Sequence, residues 1–185
     1  MSVHYAPEKL TQVALHRGVS LDSRVDRDNT FRPLHGGMAV VYRGTLHPQE
    51  TAIAIKCLRF YPHGDESNID HIVREIHTWT ELQHENLVPV FGVVTKFDFA
   101  VSIVSEWMEK GNAFDHVQDE AVDPRPLVLG VAHGLQYLHD RGILHGDLRS
   151  RNVLISKDGR ALLTDYGLSP LVDASFSMTA AAPIR

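Results

Sequence analysis

Three oxygen-bearing side chains stand near one another late in the sequence. Asp147 and Asn152 lie five apart in I-L-H-G-D-L-R-S-R-N-V-L-I, and Asp165 follows in T-D-Y-G-L. A hard cation such as magnesium takes one or two carboxylates together with phosphate oxygens, so this set suits a metal-phosphate site. Each acid also suits an ordinary turn, where Asp and Asn accept hydrogen bonds from nearby amides. Gly167 permits an unusual backbone turn right beside Asp165. A cation stands far upstream. Lys56 ends A-I-A-I-K, where strand alternation sends its side chain to the same face as Ala54 and Ala52, and small residues there leave room for something flat. Glu75 lies one residue from the apolar stripe of the following helix and could reach that lysine. A lysine held by a carboxylate is a positioned cation suited to phosphate oxygens. The segment L-H-G-G-M-A-V-V-Y could bring its backbone close to a phosphate, or be a plain hairpin loop. None of the twelve histidines forms H-E-x-x-H, and His133, His139 and His145, at intervals of six, do not share a helix face, so they read as surface or core residues.

The elements that must position these groups follow from periodicity. P-E-K-L-T-Q-V-A-L-H-R-G reads as a helix with Pro7 at its start and Gly18 at its stop, inside an otherwise polar extension. A-V-V-Y-R-G-T-L and T-A-I-A-I-K-C-L, separated by H-P-Q-E, read as antiparallel neighbours in a hairpin. From Asp65 to Gln83 the helical period takes over, with Ile69, Ile72, Val73, Ile76, Trp79 and Leu82 on one face and Ser67 with Asp70 as a capping pair. Strands are expected near Val88–Thr95 and Phe99–Glu106. After the link M-E-K-G-N-A, Asp123-Pro124 opens a second helix with Leu127, Val128, Val131, Leu135 and Leu138 inward and Gly142 closing it. Two short strands joined by K-D-G-R and a Ser/Ala-rich tail complete the chain.

The 185 residues are enough for one domain or a small two-lobed unit. Hydrophobic content of 43%, charged content of 22% and a net charge of -5 describe an ordinary globular protein and give no reason to expect nucleic acid. A single cysteine, Cys57, rules out an intramolecular disulfide and fits a reducing compartment. The N-terminus has no apolar signal core and no run is long enough for a membrane span, so a cytoplasmic protein with no membrane partner is expected.

Taken together and in order, A-I-A-I-K, Glu75, H-E-N-L-V-P-V-F-G, I-V-S-E-W-M-E-K-G-N, H-G-D-L-R-S-R-N and D-Y-G-L-S resemble a eukaryotic protein kinase domain, from about Phe31 to Arg185. The wording is nearest the tyrosine-kinase-like and tyrosine kinase groups. The resemblance implies an α+β fold, with an antiparallel N-lobe sheet carrying one helix and an incomplete helical C-lobe. Residues 1–29 would be an N-terminal extension, 30–106 the N-lobe, 106–112 the hinge and 113–185 a partial C-lobe. It implies ATP and Mg2+ as cofactors and a protein Ser, Thr or Tyr hydroxyl as acceptor. Lys56 would contact the ATP phosphates and pair with Glu75, Asp147 would accept the substrate proton with Arg149 nearby, and Asn152 and Asp165 would hold magnesium. Glu106 and Met108 would bond adenine through their backbones behind Ser105, with Val41, Ala54 and Leu154 sandwiching the ring and Leu34 and Gly36 in the phosphate loop. By the same resemblance His145, Tyr166, Trp79 and Val90 would stack as a regulatory hydrophobic column.

The sequence departs from the family pattern at several points. Leu34 and Ala39 stand where two loop glycines are usual, and Gly146 replaces the arginine before the catalytic acid, so phosphorylation of Ser175, Ser177 or Thr179 would lack an arginine partner. Arg149 replaces a lysine, and Tyr166 replaces phenylalanine, adding a hydroxyl that needs a partner if buried. The sequence ends at A-A-A-P-I-R, ahead of the A-P-E motif and the C-lobe helices that follow it. Two other readings remain at this point: a kinase-like binding fragment without transfer, and a small-molecule phosphotransferase, since H-G-D occurs there too.

Overall fold

The computed structural model describes residues 7–36, 39–58, 66–97 and 101–168. Ser175, Ser177 and Thr179 lie outside the described residues, as do the side chains of Ser67 and Ile69. The described residues fall into two compact units. One runs up to Leu82 and adds Pro89–Trp107, while the other takes Gln83–Val88 and the residues from Met108 onward.

The first unit contains α1 (Pro7–His16), β1 (Val25–Arg27), β2 (Leu34–His35), β3 (Ala39–Leu46), β4 (Thr51–Leu58), α2 (Glu66–Thr80), β5 (Val90–Val94) and β6 (Ser102–Glu106). Its antiparallel sheet has the order β1-β3-β4-β6-β5, with the short β2 also pairing β3. The alternation of β4 sets the two faces: Ile53, Ile55 and Cys57 are buried, whereas Ala52, Ala54 and Lys56 are partly open. The buried face packs with Leu46, Val94, Val104, Leu21 and Val25 into one cluster. On α2 the expected stripe is inward, with Ile72, Val73, Ile76 and Trp79 buried.

Part of the polar segment read above as an extension closes this sheet. Ser20 bridges Val93 in parallel, with Leu21 N–H donating to the Val93 carbonyl at 2.8 Å and Val93 N–H to the Val19 carbonyl at 2.9 Å. Five residues later Val25 pairs with Leu46 on β3, at the opposite edge. Across a flat sheet those positions would be about 24 Å apart at the usual strand spacing. Five residues reach only about 18 Å, so the sheet must curl, and Leu21 and Val25 fill its inside. The Asp22 carboxylate accepts from the Thr95 and Lys96 amides at 2.8 and 3.0 Å, and Lys96 Nζ donates to the Val25 carbonyl at 2.6 Å. Helix α1 buries Leu10 and Ala14, and Arg17 just beyond it donates to the Asp70 carboxylate of α2 at 2.5 Å.

The second unit contains α3 (Ala113–His116), α4 (Arg125–His139), a 3-10 turn at Ser150–Asn152 and the hairpin of β7 (Val153–Ile155) and β8 (Ala161–Leu163). Residues 84–88 run beside β8: Leu163 N–H donates to the Asn86 carbonyl at 2.8 Å, and Val88 N–H to the Leu163 carbonyl at 2.9 Å. Helix α4 comes down on this pair through two glycines. A Cβ at Gly134 would stand 2.8 Å from the Asn86 carbonyl oxygen, and one at Gly130 would stand 2.8 Å from Asn86 Nδ2.

That close approach corrects one sequence expectation. The buried line of α4 is Leu127, Gly130, Gly134 and Leu138, and Val128, expected inward, is 65% exposed. Apolarity pointed to the bulky residues, but the contact face is set by the positions where the helix can touch backbone. Helix α3 was not anticipated. Its cap is Asn112, whose side-chain oxygen accepts from the Asp115 amide at 3.0 Å while its Nδ2 donates to the Asp115 carboxylate at 2.8 Å.

Two tests follow from this packing. Gly134→Ala forces a methyl against backbone and is expected to lower stability by about 1–3 kcal/mol in denaturant unfolding. At the β3–β4 turn, His47 Nδ1 lies 2.6 Å from Glu50 and Nε2 lies 2.9 Å from Asp26, and hydrogen bonding to Glu50, then Asp26, raises its pKa above 6.5. Its contribution to stability is therefore complete below about pH 6.5, while both acids remain ionised, and is lost as pH rises through the raised value. Thermal unfolding of His47→Gln should show a flatter pH dependence above pH 6 than the parent chain.

Candidate active site

In the second unit the loop 143–152 and the turn 164–167 are joined by hydrogen bonds around Asn152. Its Nδ2 donates to the Asp147 carbonyl at 2.8 Å and to Asp147 Oδ2 at 2.9 Å. Its own carbonyl accepts from Thr164 N–H at 3.0 Å, which brings the residue before Asp165 onto the same group. Asn152 is buried, so the bonds to its amide nitrogen fix the side chain and leave Oδ1 as the acceptor. Asp147 remains partly open.

His145 closes the other side. Its ring Nδ1 accepts from Asp147 N–H at 3.3 Å, and its carbonyl accepts from Gly167 N–H at 3.2 Å. The proton therefore sits on Nε2, which is buried with no hydrogen-bond partner among the described residues. Burial lowers the imidazole pKa, against the opposing pull of nearby carbonyls and of the Asp165 and Asp147 carboxylates, so the ring is neutral. Gly146 has φ of 81°, where glycine is unstrained. Asp165 also lies in the left-handed region, at φ 65°, and Gly167 follows at 71°. Tyr166 is buried, and its hydroxyl donates to the Val88 carbonyl at 3.1 Å, the partner that the sequence left unnamed. Burial raises the phenol pKa and keeps it a donor.

The remaining sequence-derived residues divide between the units. In the first, Val41 is paired with Lys56 and Ala54 with Ser105, which places all four on one sheet face. Leu34 pairs with Val41, and Gly36 N–H donates to the Ala39 carbonyl at 2.9 Å. Glu106 N–H donates to the Pro89 carbonyl at 3.1 Å. Glu75 is partly buried on α2. In the second unit, Met108 and Leu154 pack with Val88 and Leu162. Arg149 is exposed, and its carbonyl accepts from Asn152 N–H at 2.8 Å. Of the four column residues, Trp79, His145 and Tyr166 are buried and Val90 partly so. What sequence reasoning missed is the role of Val88 as the acceptor for Tyr166; only the odd hydroxyl in D-Y-G signalled that an acceptor was needed.

Among the described residues no group of three or more His, Cys, Asp or Glu side chains could hold a metal ion by itself. The oxygen set of Asn152 and Asp165 fits a cation that takes most of its ligands from phosphate and water.

The protein kinase domain profile matches residues 35–182. The chain belongs to the protein kinase domain family. This kinase domain has the family's α+β fold. It is 33% identical over 153 residues to calmodulin-binding receptor-like cytoplasmic kinase 1 of Arabidopsis thaliana, covering 78% of this chain and 32% of that protein. With L-type lectin-domain containing receptor kinase S.1, from the same plant, identity is 31% over 147 residues, covering 75% and 22%. With probable serine/threonine-protein kinase PBL26, also of Arabidopsis thaliana, it is 33% over 147 residues, covering 74% and 34%. The chain thus spans about a third, or less, of the length of these relatives. No helix among the described residues is long and apolar enough to cross a membrane.

Asn152→Ala removes both bonds to Asp147 and leaves two partly buried acceptors without them. Its cost is expected to be about 1–3 kcal/mol in equilibrium unfolding, several times that of an exposed polar-to-Ala change such as Gln118→Ala.

Proposed function

We propose that this kinase domain transfers the γ-phosphate of ATP to a hydroxyl of a protein substrate, with Asp147 as the group that orients and deprotonates that hydroxyl. The observation that carries the reading is the pair of bonds from Asn152 Nδ2 to Asp147. They hold one carboxylate oxygen and leave the other to accept a proton, the geometry general-base work needs. Because phosphoryl transfer depends on positioning and charge neutralisation, few further groups are required. Lys56, on the sheet face with Val41, Ala54 and Ser105, would hold the α- and β-phosphates, with Glu75 to steady it. Glu106 and Met108 would offer backbone bonds to adenine, and Leu154 one of its apolar covers. Asn152 Oδ1 and Asp165 would hold Mg2+, which when bound neutralises phosphate charge. Arg149 would place a planar cation near the transferred group. With Gly146 in place of an arginine, a phosphate on the loop after D-Y-G would find no guanidinium there.

The words serine/threonine-protein kinase in the name of one relative support Ser or Thr as the acceptor, within the tyrosine-kinase-like group. A cytoplasmic location accords with the single buried free cysteine and with the name of another relative.

The test is a thermal shift with ATP and magnesium, followed by phosphate transfer in Asp147→Asn. ATP is expected to raise the midpoint further with the metal present than without it. Asp147→Asn should lose about 100-fold or more in transfer while its ATP shift is unchanged. A folded sample with no shift, or transfer that survives the substitution, would overturn the assignment.

A further inference from the structure

Asp165 is the one described non-glycine residue of the second unit with φ in the left-handed region. A left-handed conformation costs an L-residue about 1–2 kcal/mol and persists only where its surroundings hold it. Three flanking restraints can be named, beside the Thr164 hydroxyl that lies 3.4 Å from the Asp165 carboxylate. On its N-terminal side, Thr164 N–H is bonded to the Asn152 carbonyl at 3.0 Å. On its C-terminal side, Gly167 N–H is bonded to the His145 carbonyl at 3.2 Å, and the Tyr166 hydroxyl to the Val88 carbonyl at 3.1 Å. The first two are backbone bonds. The third is the only one of the three that a side chain supplies, and it comes from the residue next to the strained one.

The acceptor is itself fixed. Val88 is 1% exposed, and its N–H is committed to the Leu163 carbonyl at 2.9 Å, so its carbonyl is held against β8. Tyr166 is 3% exposed, so water has little access to replace the bond, and without the hydroxyl a buried carbonyl loses its partner. In the family pattern stated above a phenylalanine occupies this position, so the hydroxyl departs from that pattern.

We infer that the Tyr166 hydroxyl is a positioning group for Asp165, tying the D-Y-G turn to the Val88 carbonyl and keeping the Asp165 carboxylate in its metal-binding orientation. The inference rests on the proposed role of Asp165 as a ligand of the nucleotide-bound metal. A phenylalanine here keeps the apolar packing and loses the tie, so one restraint on the left-handed turn is removed while its backbone bonds remain.

The experiment compares the full chain with Tyr166→Phe and with Asp165→Asn. One readout is amide hydrogen exchange over residues 165–168 without ligand. The other is affinity for ATP with and without Mn2+, the metal followed by its paramagnetic resonance. Losing one buried bond should speed exchange about fivefold or more in Tyr166→Phe and weaken Mn2+-dependent ATP binding by a similar factor, with metal-free ATP affinity unchanged. Unchanged exchange overturns the tie. Faster exchange with unchanged Mn2+-dependent binding makes the bond merely structural and overturns the positioning role. Asp165→Asn separates the two levels. If it weakens Mn2+-dependent binding and Tyr166→Phe does not, only the inference fails. If Asp165→Asn has no effect, the metal assignment fails and the inference with it.

Discussion

The second unit depends on Asn86. Its carbonyl receives Leu163 N–H at 2.8 Å and its Nδ2 donates to the Ala161 carbonyl at 2.9 Å, so one residue grips β8 by backbone and side chain together. It is 5% exposed, and α4 covers it with Gly130 and Gly134, whose missing side chains make the room. A buried amide of this kind is stable only because its donors and acceptors are satisfied. From that grip the rest follows in order: β8 is placed beside 84–88, the turn after β8 presents Asp165, and Thr164 reaches Asn152. The chemistry-bearing loop is held by satisfied polar groups more than by a large apolar core.

The sequence disclosed the periodic parts well. The inward stripe of α2, the β3–β4 hairpin and the face bearing Ala52, Ala54 and Lys56 all stand where residue spacing placed them, because each is a local pattern repeated over several residues. The parts that escaped are of three kinds. Strand β1 is three residues long, too short for a period to be seen. The face of α4 was misjudged at Val128 because glycine gives no apolar signal, although it permits the closest packing. Helix α3 was hidden in a polar stretch, although Asn112 followed three residues later by Asp115 was a cap in plain view.

The residues that carry chemistry were legible for another reason. Asp147, Asn152 and Asp165 were grouped by type and spacing, and the structure bonds Asn152 directly to Asp147 and to Thr164, the residue before Asp165. Lys56 and Glu75 stand on two different elements, so their separation depends on where α2 rests, which no local pattern encodes. Helix α2 is held through Asp70 by Arg17, which comes from outside the helix. Its placement is set by contacts distant in sequence.

The closure of the sheet by residues 19–27 bears on where this folding unit starts. A chain cut at residue 30 would keep every residue assigned to chemistry but lose β1, the bridge at Ser20 and the interior side chains Leu21 and Val25. Both outer strands, β3 over its second half and β5, would then show unpaired backbone. Such edges recruit other strands, so a fragment bounded by the family match alone would be prone to self-association through its sheet.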